Sequence, residues 1–167
     1  MDAIKTSVSA SVAQLALRLP ARGWMMATAE SCTGGLIAGA CTDLAGSSAW
    51  FERGFVTYSN AAKTESLGVD AGLIVRDGAV SEAVARAMAE GALAHSQAQL
   101  AVAVTGIAGP GGGSAAKPVG TVWLALASRG AATQAELLQL GGDRTAIRMQ
   151  TVERALQRLI ERVRAAS

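Results

Sequence analysis

The stretch "RGWMMATAESCTGGLIAGACTDL", Arg22 to Leu44, decides the fold. Its first part carries an apolar run, Trp24 to Ala29, that predicts a buried strand. "TGGLIAGACTDL", from Thr33, predicts a helix whose glycines allow close approach to a sheet. Between the two stand a carboxylate, a hydroxyl, a thiol and a second hydroxyl: Glu30, Ser31, Cys32 and Thr33, followed by Gly34 and Gly35. Ser31 thus falls where a strand hands over to a helix, and ligands of open α/β sheets sit at such carboxyl ends of strands.

Outward from this stretch, helical and strand patterns alternate. Val8, Val12, Leu15 and Leu19 fall at helical spacing, and Pro20 ends that helix. "AWFERGFVTYS" carries strand formers, and "NAAKTESLG" predicts a short helix stopped by Gly68. Ser81 is an N-cap with Glu82 in the first turn, and Val84, Met88, Gly91 and His95 share one face of the helix that follows. His95 reads as half-buried at that helix end. "QLAVAVTG" and "GTVWLALAS" are continuous apolar runs, the pattern of strands covered on both faces, and "AELLQL" is a further short strand. Asp143, after Gly141 and Gly142, caps a long helix with Ile147, Leu156, Leu159 and Val163 inward. The alternation predicts a three-layer α/β/α sandwich in one domain. Adjacent strands near the C-terminus, with no helix between them, make the sheet mixed and mostly parallel.

Composition narrows the function classes. Half of the 167 residues are hydrophobic and 17% are charged, which excludes a disordered chain. Lys and Arg are spread along the chain and the net charge is +2, which argues against a dedicated nucleic-acid surface. Cys32 and Cys41 are the only cysteines, and no long apolar run or signal peptide is visible. The expectation is a cytoplasmic protein with reduced thiols and no membrane segment. One histidine and no clustered cysteines speak against a zinc site, so no metal is expected.

Several residues could carry chemistry. The amides of Cys32, Thr33 and Gly34, unpaired at a helix start, could bind an anion or hold a developing oxyanion. Ser31 is a nucleophile on that reading; on the plainer one Ser31 or Thr33 is only an N-cap, and the local pattern leaves both open. Cys32 could also be a nucleophile, although no histidine stands near it in sequence. Lys63, in "YSNAAK", could deprotonate a serine if burial lowered its pKa, or it could simply be solvated. Tyr58 could hydrogen-bond beside them. The run "TGIAGPGGGSAAKPVGT" contains Gly106, Gly109, Gly111, Gly112 and Gly113 but matches neither the dinucleotide fingerprint nor the P-loop. Its amides could cradle a phosphate, with Thr105 and Lys117 adding donors; otherwise it is a hairpin. Arg144, at the "GGD" helix start, could also reach a phosphate.

Taken together, "TAESCTGG", "GSSAWFERGFVTYSN", "TGIAGP", "KPVGTV" and "GDRTAIR" resemble the C-terminal domain family of the competence/damage-inducible protein CinA, in its stand-alone form. The resemblance runs from about Gly23 to Arg148. It implies an α/β/α fold and a deamidase that converts nicotinamide mononucleotide and water to nicotinate mononucleotide and ammonia, without a cofactor. It also implies a serine–lysine mechanism: the family's nucleophile falls on Ser31 and its base on Lys63, and Tyr58 and Thr105 fall on positions the family uses in its site. With the substrate expected at this turn and loop, Cys32, Thr33, Gly34, Gly106, Gly109 and Arg144 become candidates to bind it. Glu30 is a candidate to orient Lys63 or the ribose.

Many relatives carry a large N-terminal domain linked to a pyrophosphatase activity. These 167 residues do not include one, so that activity is not carried over. A homodimer is plausible on the resemblance, with Trp50 and Phe51 either at an interface or in the core. Two rival readings stay open: a sensor that holds a pyridine nucleotide without turnover, and a serine–lysine amidase for another small amide.

Overall fold

A computed structural model describes residues 1–166. The elements, in chain order, are α1 (Asp2–Ala21), β1 (Met26–Glu30), α2 (Leu36–Thr42), β2 (Phe51–Val56), α3 (Asn60–Leu67), α4 (Ala71–Asp77), α5 (Glu82–Ala94), β3 (Leu100–Gly106), β4 (Thr121–Ser128), β5 (Ala131–Gln139) and α6 (Arg144–Ala165). The five strands form one sheet in the order β2-β1-β3-β4-β5. β1 pairs in parallel with β2 and β3, and β4 is antiparallel to both β3 and β5. Four strands therefore run one way and one runs against them, the mixed sheet expected from the two adjacent C-terminal strands.

Helices α1, α2 and α6 cover one face, and α3, α4 and α5 cover the other. Because side chains alternate along a strand, each strand feeds both cores. Met26 on β1, Leu100, Val102 and Val104 on β3, and Val122, Leu124 and Leu126 on β4 pack towards α1 and α6. Ala27, Ala29, Ala101, Ala103, Ala125 and Ala127 pack towards α5. One face is thus built of large aliphatic side chains, the other largely of alanine. Continued past the strand, the same alternation places Glu30 on the α2 side and turns Ser31 to the α3 and α5 side.

The predicted elements mostly hold, with boundaries moved for identifiable reasons. β1 was expected over Trp24–Ala29 and occupies Met26–Glu30. α2 was expected from Thr33 but begins only at Leu36, because Gly34 and Gly35 adopt φ of +58° and +97°, outside the right-handed helical region. β5 extends back to Ala131, since the two-residue turn Arg129–Gly130 pairs the strands immediately. α4 was not foreseen. Trp50 is 2% exposed and meets Phe51 edge-to-face, with ring centroids 6.5 Å apart, so the pair belongs to the core and not to a free surface. His95 is exposed rather than half-buried; it ends α5, its Nδ1 2.8 Å from the Gly91 carbonyl. Among the described residues no helix is long and apolar enough to cross a membrane.

Candidate active site

The carboxyl ends of β1, β2 and β3 converge on a cleft of about 190 Å³. Ser31 enters it from the turn after β1. That turn is fixed at its first residue, where the Ser31 amide donates to the Val104 carbonyl of β3 (3.0 Å). Lys63 enters from α3. Ser59 caps this helix by accepting from the Ala62 amide, and Gly68 ends it in the left-handed conformation with φ +70°. Three residues into the helix, Lys63 points back under the sheet and is 1% exposed.

The Lys63 Nζ lies 3.0 Å from Ser31 Oγ, 2.8 Å from the Thr57 carbonyl and 3.4 Å from the Tyr58 carbonyl. No ion pair involves it among the described residues. Burial therefore holds its pKa below the ordinary lysine value, with the charge that Cys32 could carry acting the other way. A neutral amine has two N–H bonds and one lone pair. Two carbonyls can take the N–H bonds, which leaves the lone pair for the Ser31 hydroxyl to donate into.

The other expected residues divide clearly. Tyr58 lines the cleft from its rim, 62% exposed, and its hydroxyl accepts from Arg144 Nη2 at 3.2 Å. Arg144 also lines the cleft, and its Nη1 donates to the Gly109 carbonyl at 2.8 Å. Gly109 thus acts through Arg144 and does not itself line the cleft. Gly106 and Thr105 do line it; the Thr105 hydroxyl donates to the Ala79 carbonyl (2.8 Å) and holds that wall in place. Cys32 also lines the cleft. Burial pushes its thiol up to about 11, with its own backbone amide, Arg148 and Lys63 pulling the other way, so it is a thiol at neutral pH.

Three candidate contacts do not stand. Glu30 faces away from Lys63, on the other side of the sheet. Fully buried, its carboxylate accepts from the amides of Ile37 and Ala38, both at 2.9 Å, and from the Thr33 hydroxyl at 2.6 Å. It fixes the start of α2 and orients neither Lys63 nor a ribose. Thr33 is consumed by that contact and is fully buried. Gly34 lies outside the cleft lining, beside Arg148. The glycine-rich run contributes less than its composition suggested. Only its first residues, Thr105, Gly106 and Ala108, reach the cleft, the tip is exposed, and Lys117 Nζ donates to the Asp77 carbonyl at 3.1 Å.

Asn60, Ala79 and Val80 line the cleft and were not anticipated. Arg148 was also missed, although it stands four residues after Arg144 and so on the same face of α6. Its Nε donates to the Cys32 carbonyl (3.1 Å) and its Nη2 to the Thr33 carbonyl (3.0 Å). Among the described residues no group of three or more metal-ligating side chains is found.

Residues 8–163 match the family model of the CinA C-terminal domain. The nicotinamide-nucleotide amidohydrolase PncC of Enterobacter agglomerans is 55% identical over 144 residues, covering 86% of this chain and 88% of that protein. A CinA-like protein of Akkermansia muciniphila is 58% identical over 135 residues, 81% of this chain but 33% of the longer relative. Among solved structures, the competence/damage inducible protein CihA from Agrobacterium tumefaciens superposes with a TM-score of 0.91 at 51% identity, covering 93% of this chain and 94% of that one.

Proposed function

This chain belongs to the CinA C-terminal domain family, and from that membership and the cleft chemistry we propose that it is a nicotinamide mononucleotide deamidase acting through a Ser31 acyl-enzyme. The reaction is hydrolysis of the carboxamide to nicotinate mononucleotide and ammonia. The observation that carries the reading is the buried Lys63 amine, 3.0 Å from the Ser31 hydroxyl and without a carboxylate partner.

Lys63, neutral, takes the Ser31 proton as Oγ attacks the carboxamide carbon. The resulting oxyanion accepts from amides of the turn after Ser31. The Lys63 ammonium then gives its proton to the amide nitrogen, the C–N bond breaks and ammonia leaves. Water enters, loses a proton to Lys63 and attacks the nicotinoyl ester. Collapse of that second tetrahedral species returns the proton to Ser31 Oγ and frees the carboxylic acid. Cys32 is a bystander in this scheme, since its thiol is protonated at working pH. Arg144 releases the Tyr58 hydroxyl to take the substrate phosphate, so the two residues grip the nucleotide while Gly106 and Ala108 form an unobstructed wall.

The test is ammonia release and product identity with nicotinamide mononucleotide, with a chelator present, for the parent protein, Ser31→Ala and Lys63→Ala. Nicotinate mononucleotide formed by the parent and by neither variant supports the reading. Turnover that survives in Ser31→Ala refutes the acyl-enzyme, and a folded parent that binds the nucleotide without releasing ammonia refutes the enzyme.

A further inference from the structure

The turn Ser31–Gly35 is held from one side by a single side chain. Arg148 spans two consecutive carbonyls, those of Cys32 and Thr33, with Nε and Nη2 at 3.1 and 3.0 Å. A planar guanidinium suits this task because its donors are fixed in one fork. The Ser31 carbonyl is also engaged, accepting from the Gly34 amide at 3.1 Å. All three carbonyls are therefore tied down within the turn.

In a trans peptide the N–H points opposite to the C=O. Fixing the Cys32 carbonyl on Arg148 fixes the Thr33 N–H pointing away from Arg148. Fixing the Thr33 carbonyl on Arg148 turns the Gly34 N–H to the Ser31 carbonyl, and that bond in turn sets the direction of the Cys32 N–H. Neither amide donates to a protein acceptor among the described residues. Cys32 lines the cleft and Arg148 does not. The guanidinium thus stands behind the turn, and of the two free N–H groups that of Cys32 belongs to a cleft-lining residue while Thr33 is fully buried. Gly34 makes the arrangement possible through its φ of +58°, a left-handed backbone that reverses the chain and that side chains rarely adopt.

We infer that Arg148 is a positioning residue that, through the turn, aims the Cys32 amide at the oxyanion formed on the substrate carbonyl. Resting on the Ser31 acyl-enzyme reading above, this assigns the oxyanion site and its support. Arg148 touches no reacting atom. It acts through two peptide planes, so its loss weakens binding of tetrahedral species and leaves ground-state binding intact.

The experiment compares the parent protein, Arg148→Lys, Arg148→Ala and Ser31→Ala in three measurements. These are kcat and KM for nicotinamide mononucleotide, the dissociation constant of nicotinate mononucleotide, and inhibition by pyridine-3-boronic acid, which forms a tetrahedral adduct with a serine hydroxyl. Arg148→Ala is expected to lose about 10²-fold in kcat, the scale of one mis-set oxyanion donor, with KM and the product dissociation constant within about threefold. Boronate affinity falls in proportion to kcat across the series. Arg148→Lys, which keeps the charge but not the fork, falls between parent and alanine, and millimolar methylguanidinium restores part of the Arg148→Ala rate.

Parent-like kcat in either folded Arg148 variant overturns the inference. So does a loss carried by KM, or unchanged boronate affinity alongside a lowered kcat. If Arg148→Ala does not fold, the same three readings on Arg148→Lys decide. Ser31→Ala separates the two claims: boronate inhibition that persists there refutes the Ser31 reading, whatever Arg148 does.

Discussion

Gly91 offers the sharpest test of how the lysine is placed. It lies in α5 where that helix crosses the last turn of α3. A Cβ added at Gly91 would fall 3.0 Å from both the carbonyl carbon and the Cβ of Leu67, and inside the contact distance of the Leu67 carbonyl oxygen. Ordinary van der Waals contact begins near 3.4 Å, so α3 must retreat by at least about 0.4 Å at the carbon and on the order of 1 Å at the oxygen. Lys63 is one turn earlier on the same eight-residue helix. A shift of that size lengthens the 3.0 Å contact to Ser31 Oγ towards 4 Å, beyond hydrogen-bond range. A misplacement of about 1 Å costs on the order of 10² in rate, so Gly91→Ala should lose about 100-fold in kcat. Stability should change less. Overpacking costs about 1–3 kcal/mol and the better helix propensity of alanine returns up to about 1 kcal/mol. The net loss of 0–2 kcal/mol lowers the unfolding midpoint by only a few degrees. Ammonia-release kinetics and thermal unfolding measure both. Gly39→Ala is the control: that glycine sits in α2 with nothing within 4 Å of the new methyl, so stability should rise by about 0.5–1 kcal/mol at unchanged kcat. Parent-like kcat in Gly91→Ala would refute the claim that the approach of α3 to α5 sets the Ser31–Lys63 distance.

Four further predictions concern the same site and the turn beside it. Lys63 has a lowered pKa in the fold, so between its folded value and the ordinary 10.5 the unfolded chain binds more protons, and stability rises with pH across that window. Lys63→Met should therefore be inactive yet more stable than the parent at pH 7, with the advantage shrinking towards pH 10.5; urea midpoints at pH 7 and pH 10 would show no such convergence if Lys63 were charged in the fold. For the parent, kcat/KM should rise with pH along a limb set by that lowered pKa, below the ordinary lysine range. Cys32, with its thiol pushed up to about 11, is only about 0.1% thiolate at pH 8, so Cys32→Ala should keep kcat within about threefold and iodoacetamide should inactivate slowly; rapid inactivation contradicts the bystander role. Glu30→Gln keeps an acceptor for only one of the Ile37 and Ala38 N–H groups and turns an NH2 donor towards the other, which should cost about 1–3 kcal/mol and speed hydrogen exchange at the amide that loses its acceptor; unchanged exchange at both would show that the carboxylate does not hold α2.

Local pattern made much of this legible. The strand–turn–helix around Ser31, the Ser59–Gly68 helix with its lysine, and the two apolar C-terminal strands rest on periodicity and capping, which act over a few residues. What escaped depends on longer reach. Glu30 read as a site residue because it stands beside Ser31, yet neighbouring residues leave a strand on opposite faces; the period of two was present and pointed to its structural role. Arg148 acts across 116 residues of chain, and only its spacing from Arg144 marked it. The glycine run looked like a cradle because composition cannot say which part of a loop turns back. Lys117, pulled to the Asp77 carbonyl, shows that the loop closes against the end of α4, an element whose seven residues were too few to display a period.

The alanine content of the chain acquires a purpose from this geometry. A lysine amine stays neutral near physiological pH only if water is kept from it, and exclusion requires neighbouring elements to close tightly over it. On the α5 side of the sheet, β1 and β3 present Ala27, Ala29, Ala101 and Ala103, and α5 answers with Ala85, Ala89, Gly91 and Ala92. Small side chains on both partners let the helix approach closely, and Gly91 then lets α3 approach α5. Such a face buries little apolar area per residue and so contributes little stability. The opposite face compensates, with Leu15, Leu19, Leu100, Val102, Leu124, Leu156 and Leu159 packed between α1, α6 and the sheet. The two faces divide the work: the large side chains supply cohesion, and the small ones supply the close, dry packing that holds Lys63 against Ser31.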